Sequence, residues 1–310
     1  MNVFVLIIVN IIFPVFALIG VGLFAHRKFK FDLQTLSKLT TYILMPTVSF
    51  ANLYESRVQW GLFGQVAGYL LLLSLMLVAV SAGFARLRSM DRKSAAVFKN
   101  NVVLINSGNF GLPVSQLVFQ HQPIGMSVQV IISVYQNLLT YSYGMLNSVS
   151  ADRGGGWKAI ASFLKIPTLY AVMLGLLLNT WNVDLPSFLW KPIENVSDAF
   201  LAIALFTLGA QSAALRIRPI PPLLVFSVIG RLLLSPILAY LLIRLLGMEG
   251  VVAQACFIAS AFPTSRNASL LALEHDNHPD LAAKAVILST FLSSLTVSVV
   301  IYSSQLLFGS

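Results

Sequence analysis

Two short stretches of this sequence carry residue types that recognise a ligand without breaking a bond. The first, Asn106-Ser107-Gly108-Asn109-Phe110-Gly111-Leu112-Pro113, holds two amides, a hydroxyl, two glycines and a proline. The second, Ser260-Ala261-Phe262-Pro263-Thr264-Ser265-Arg266-Asn267, adds three hydroxyls, an amide, a proline and a guanidinium. Amide, hydroxyl and guanidinium groups donate hydrogen bonds, and a guanidinium brings a full positive charge, so the pair is suited to an anion. Covalent chemistry needs a nucleophile with a base, or a pair of carboxylates. Neither run contains one. The spacing of Glu274, His275, Asp276 and His278 suggests a metal site on paper, but nothing else in the chain converges on it and a solvated loop is the expectation. His26 and His121 read as loop residues. The single cysteine, Cys256, lies in an apolar stretch and rules out an intrachain disulfide framework, so no cofactor or metal is expected.

The elements that carry these runs are apolar. Hydrophobic residues make up 57% of the 310 positions, charged residues only 10%, and mean hydropathy is +0.83. Soluble domains carry about 25% charged residues. Runs long enough to cross roughly 30 Å of hydrocarbon recur throughout, which predicts an all-α membrane protein of ten transmembrane helices. Their expected extents are 3–25, 35–54, 61–86, 94–120, 124–150, 158–181, 194–215, 220–246, 250–275 and 281–308. The first run lacks a basic leader and a cleavage site, and reads as a span rather than a signal peptide.

Of the 20 Lys and Arg residues, fifteen fall in or beside the odd-numbered connections, whereas the even-numbered ones hold only Arg57, Lys191 and Arg244. Positive charge favours the cytoplasmic side, so both termini are expected on the outer face of the cytoplasmic membrane. Trp60, Trp157, Trp181 and Trp190 fall at expected span ends, at the headgroup level. The net charge of +9 is spread over loops with no aromatic interleaving, which excludes a nucleic-acid surface and leaves the lipid bilayer as the partner.

Arg231 and Arg266 are the two cations left inside spans. Proline removes a backbone donor and glycine weakens a helix, so the two polar runs should interrupt spans four and nine at membrane depth. Such unwinding is tolerated there only inside protein or along a watery cavity. The interruptions fall fourth in each set of five spans, and Pro14 and Pro167 echo the offset. A five-span unit repeated once is necessarily inverted, giving repeats at 1–150 and 158–310 joined by a cytoplasmic linker at 151–157 that contains Gly154, Gly155 and Gly156. Paired broken helices in inverted repeats point to a transporter's midplane binding site. There, half-helix N-termini direct orphan N–H groups at one place, again favouring an anion. Pro46 is expected to kink span two beside Thr47 and Ser49, the kink either shaping a cavity wall lined by Pro46 and Ser49 or serving packing alone, and Gln136, Asn137 and Gln211 are expected as interhelical glue or cavity lining. Arg231 reads equally well as an interfacial residue.

The run Asn106 to Pro113, Pro46 with its preceding Tyr42-Ile43-Leu44-Met45, and Pro263 to Asn267 together resemble the auxin efflux carrier family, including its bacterial members and the plant PIN proteins. The resemblance covers essentially the whole chain, and the short central connection is similar to the bacterial form. It implies the inverted-repeat fold of the bile-acid symporters and sodium/proton antiporters, with a panel-like scaffold and a core in which spans four and nine cross. It implies a secondary transporter of small organic anions, dicarboxylates or auxin-like acids, working by alternating access. Asn109, Pro113, Pro263 and Asn267 match its crossover positions, and Arg266 stands where many relatives carry an uncharged residue. The expected substrate site is therefore Asn106, Ser107, Asn109, Gly111, Pro113, Pro263, Thr264, Ser265, Arg266 and Asn267. A membrane receptor or sensor and, less well, an intramembrane enzyme are the competing classes. A homodimer and a coupling ion, proton or sodium, are compatible with these features and specified by none.

Overall fold

The computed structural model describes residues 3–55, 60–148, 167–213 and 220–309. The expected linker at 151–157, the start of the expected sixth span at 158–166, Trp157, Arg57, Arg216 and Arg218 lie outside them. Among the described residues the chain is helical, with a single isolated β-bridge. Taken across their π-helical turns and interruptions, the helices are α1 (3–29), α2 (33–55), α3 (Trp60–Leu87), α4a (Arg92–Val103), α4b (Leu112–Val118), α5 (123–148), α6 (Pro167–Thr180), α7 (Ser187–Ser212), α8 (Pro222–Leu245), α9a (Gly250–Ser260), α9b (Arg266–Glu274) and α10 (Pro279–Phe308).

Five stretches, in α1, α3, α7, α8 and α10, are long and apolar enough to cross a membrane, and Pro167–Thr180 and Gly250–Ser260 are shorter apolar helices. Large side chains such as Phe24, Leu75, Ile237 and Leu295 face outward, while Ser, Thr, Asn and Gln residues are enclosed. That pattern suits a hydrocarbon solvent.

Helix α7 begins at Ser187, seven residues before the expected start, so Trp190 and Lys191 sit in its opening turns rather than in a loop. Pro192 costs only one early backbone bond there. Proline is accommodated elsewhere by widening the helix. Among the described residues, four of the five π-helical turns, Ile8–Ile12, Thr40–Leu44, Ser107–Gly111 and Gly230–Leu234, end two residues before Pro14, Pro46, Pro113 and Pro236. In each case the carbonyl four residues before the proline, which the ring would strike in a regular α-helix, lies within the widened turn. Pro46 is therefore an adjusted stretch of α2, and it is buried with Ser49, neither of them lining the two cavities described below.

The helices pack as two groups. In the first, α1 lies along α7 and α2 lies along both α6 and α7. In the second, α3, α4, α5, α8, α9 and α10 surround one another, with α9a against α5, α8 and α10. Glycine makes the closest approaches in the first group. A Cβ on Gly22 would lie 2.0 Å from the Phe206 carbonyl oxygen, one on Gly209 1.8 Å from that of Ile19, and one on Gly175 2.9 Å from that of Phe50. Backbones this close are held by dispersion and by small residues at the crossing, the usual means of helix association in lipid.

Gly22→Val and Gly209→Val should each lower stability by roughly 1–3 kcal/mol or more through overpacking. The check is the thermal unfolding midpoint in detergent, which should fall for both and stay unchanged for Gly20→Val, where a Cβ meets nothing within 4 Å.

Candidate functional site

The two interruptions meet. Leu104 to Asn106 and Pro263 to Ser265 run extended and antiparallel, bridged at Ile105 and Thr264. The Asn106 N–H donates to the Pro263 carbonyl at 2.9 Å, and the Ser265 N–H donates to the Leu104 carbonyl at 2.9 Å. This pairing explains how unwound backbone survives in an apolar interior, because each break supplies the partners that the other has lost. Side chains complete the accounting. Thr264 donates through its N–H to Ser289 Oγ at 3.0 Å and through its hydroxyl to the Asn101 carbonyl at 2.9 Å. The Ile105 N–H reaches Gln136 Oε1 at 3.4 Å, and the Ser107 carbonyl accepts from Gln129 Nε2 at 3.0 Å and Ser133 Oγ at 3.1 Å.

Only the first residue of the Asn106–Pro113 run is unwound. The helix restarts at Ser107 through a π-helical turn, and Pro113 lies in the first turn of α4b, where its fixed φ is already helical. Gly111 is required by packing: a Cβ there would lie 2.6 Å from the Phe262 ring, which itself meets Phe110 edge-on at a centroid distance of 5.9 Å.

The crossing leaves four half-helix ends of two kinds. The C-terminal ends of α4a and α9a meet at Arg231, which comes from a π-helical turn of α8 and is fully buried. Its guanidinium donates to the Val102 and Ser260 carbonyls, each at 2.6 Å, and to Ser235 Oγ. Both carbonyls were orphaned by the breaks, since the N–H groups four residues on, those of Asn106 and Thr264, are engaged elsewhere. Two helix C-termini together present roughly one negative charge. Arg231 balances it. The interfacial alternative for Arg231 is thereby replaced by a place at the heart of the fold, and sequence could not reveal this because its partners are carbonyls.

The N-terminal ends face a different space, a cavity of about 220 Å³. One wall is Asn106, Ser107, Gly108 and Asn109 from the first break with Ser265, Arg266 and Asn267 from the second. Helix α5 adds Ser133, Gln136, Asn137, Thr140 and Tyr141, α2 adds Ser37, Lys38, Thr41, Tyr42 and Met45, and α6 adds Thr168. Ser265 caps α9b by accepting from the Asn267 N–H at 3.1 Å. Asn106 Nδ2, Asn109 Oδ1 and Thr168 Oγ1 are buried atoms with no protein partner, and all three residues border the cavity. A second chamber of about 450 Å³ adjoins it, sharing Ser37, Lys38, Arg266 and Leu270 and reaching Gln211 on α7.

Of the residues expected at a site, Asn106, Ser107, Asn109, Ser265, Arg266, Asn267, Gln136 and Asn137 thus share one cavity, and Gln211 borders its neighbour. Gly111, Pro113, Pro263 and Thr264 lie within the crossing and off the cavity wall. Lys38, Thr41, Tyr42, Tyr141 and Thr168 were missed as site residues. Lys38 reads in sequence as one more cytoplasmic charge, and the others as ordinary helix residues. Among the described residues no three His, Cys, Asp or Glu side chains gather as a metal site. In the loop after α9b, Asp276 pairs with Lys93 at 2.7 Å, and that hydrogen bond and charge hold its carboxyl below the usual range.

Comparison with known families decides the class. The model of a family described as membrane transport protein matches residues 7–301, nearly the whole chain. The chain belongs to the membrane transport protein family. It is accordingly a multi-pass membrane transporter, in a family of transporters rather than enzymes. This transporter is 25% identical over 274 residues to an uncharacterized transporter of Methanothermobacter thermautotrophicus, covering 86% of this chain and 87% of that protein. It is 28% identical over 143 residues to auxin efflux carrier component 1 of Arabidopsis thaliana, covering 44% of this chain and 22% of the plant protein. A probable auxin efflux carrier component 1c of Oryza sativa subsp. japonica is 28% identical over 153 residues, 47% of this chain and 25% of that protein. The matched segments thus span about a quarter of the length of these plant relatives.

Replacing Arg231 in this transporter by Leu should strand the Val102 carbonyl, because Ser260 keeps a bond from Ser235 Oγ at 2.9 Å. An orphaned buried acceptor costs on the order of 1–3 kcal/mol. Arg231→Leu should lower the thermal midpoint in detergent, and Arg231→Lys should recover part of the loss.

Proposed function

We propose that this protein is a secondary transporter carrying a small organic anion, a carboxylate, across the cytoplasmic membrane by alternating access. The observation that carries the reading is the convergence of two opposed half-helix N-termini, unpartnered amide atoms of Asn106 and Asn109, and Arg266 on one polar cavity. Each N-terminus offers roughly half a positive charge and free N–H groups, and Arg266 adds a whole one. Among the described residues no carboxylate stands within ion-pair distance of Arg266. The ligand supplies that negative charge. The carboxylate class also agrees with the names of the plant relatives, which are auxin efflux carriers.

The ten-span reading groups the chain into inverted repeats at 1–150 and 158–310. The packing agrees with it: exchanging the repeats turns the α1–α7 contact into the α6–α2 contact, and these two are the most extensive among the described residues. In this reading α1, α2, α6 and α7 form a scaffold, the other helices form a core, and the core slides against the scaffold in an elevator-like cycle. The termini lie outside, and the second chamber, near the start of α2 and the end of α7, leads to the cytoplasm. The ligand contacts are assigned to Asn106, Ser107, Asn109, Ser265, Arg266 and Asn267. Gly111, Pro113, Pro263 and Thr264 shape the crossing that presents them.

Uptake of labelled carboxylates by proteoliposomes tests the reading. Saturable flux is expected, whereas binding without flux would identify a receptor and turnover of the ligand an enzyme. Arg266→Ala should weaken uptake at least tenfold, in line with a charged hydrogen bond worth about 1.5–3 kcal/mol, while the unfolding midpoint stays near that of the parent. Asn109→Ala and Asn267→Ala should each impair uptake. Full activity in both would remove the crossing from the site.

A further inference from the structure

We infer that Lys38 is a specificity-determining residue that reads a second negative charge, so that the site takes dianions in preference to monoanions of the same size. The inference rests on the organic-anion reading and decides between its two forms. Charge balance at the crossing is its starting point. On the C-terminal side the protein supplies its own counter-ion, Arg231, against roughly one negative charge from two helix ends. On the N-terminal side two helix ends and Arg266 bring roughly two positive charges to one cavity. Nothing in the described residues matches them, because the one ion pair among those residues is Lys93 with Asp276.

Lys38 raises the excess further. It lies on α2, whereas Arg266 lies on α9b, and the two residues border both the 220 Å³ cavity and the 450 Å³ chamber beside it. The carboxylate nearest in sequence, Asp32, caps the start of α2, accepting from the Gln34 and Thr35 N–H groups at 3.1 and 3.3 Å and from the Thr35 hydroxyl. A monoanion held at the helix ends and Arg266 leaves the Lys38 ammonium only the exposed Asp32 carboxylate, which it feels beyond ion-pair distance, whereas a second carboxylate on the same ligand gives it a direct partner. A lysine does this well, since its flexible stem carries a compact charge to ligands of differing length. Because α2 and α9b belong to different packing groups, a dianion so held ties one group to the other, and a monoanion does not. Lys38 is water-accessible, which screens its charge and limits the preference to a moderate one.

The test uses the full-length protein in proteoliposomes, with malonate, succinate and glutarate each set against its own monoamide, a partner of like shape carrying one charge. The parent should bind at least one dianion about ten- to a hundredfold more tightly than its monoamide. Lys38→Gln should reduce that dianion's affinity far more than the monoamide's, so that the preference is lost, and Lys38→Arg should restore the preference. Equal affinity of the parent for both members of every pair, or an equal loss for both in Lys38→Gln at an unchanged unfolding midpoint, overturns the inference while the organic-anion reading stands. Failure of the parent to bind or move any carboxylate, auxin-like acids included, overturns that reading and this inference with it.

Discussion

Everything in this molecule follows from the need to satisfy backbone polar groups where two helices stop in an apolar interior. A break in one helix alone would leave donors and acceptors that lipid cannot serve, at a cost of several kcal/mol for each unsatisfied group. Two breaks laid antiparallel serve each other through the Asn106 to Pro263 and Ser265 to Leu104 bonds. The remaining groups are met by Thr264, Ser289, Gln129, Ser133, Gln136 and Arg231. Apart from Thr264, which lies in the break itself, those side chains come from α5, α8 and α10, so the crossing dictates where its neighbours must pack.

The same arrangement separates charge. Half-helix C-termini end on a resident guanidinium, and half-helix N-termini end on an open cavity, so a single crossing yields one side that is electrically complete and one that is not. In the proposed reading the anion binds on the incomplete side. Glycines at α1–α7 and α2–α6 hold the other packing group together through backbone contact rather than through polar bonds. In the proposed cycle that group is the part that keeps its shape.

Much of this was legible in the sequence, and what was hidden had a common cause. The two polar runs, their matched places in the chain and the presence of Arg266 follow from hydropathy and from the known effects of proline and glycine. The roles within the runs did not follow. Pro113 looks like a helix breaker and instead lies at a helix start, where its ring fits, while Pro263 sits in the break itself. Thr264 looks like a ligand contact and is spent on Asn101 and Ser289. Arg231 shows no sequence signal because carbonyl oxygens are present at every position, and only the fold selects two of them. Lys38 was concealed by the charge rule itself, since a lysine near an expected cytoplasmic connection needs no further explanation.

Cross-linking of the two breaks tests the central claim most directly. Ile105 and Thr264 form a pair without mutual hydrogen bonds, a geometry with Cα atoms about 4.5 Å apart, within the range a disulfide spans. With Cys256 replaced by Ser, Ile105→Cys and Thr264→Cys should oxidise readily in native membranes. After cleavage at a protease site placed within 151–157, the two halves should then stay joined until reduced. Halves that separate without reductant, under oxidation that joins a control pair elsewhere, would contradict the crossing and everything built on it.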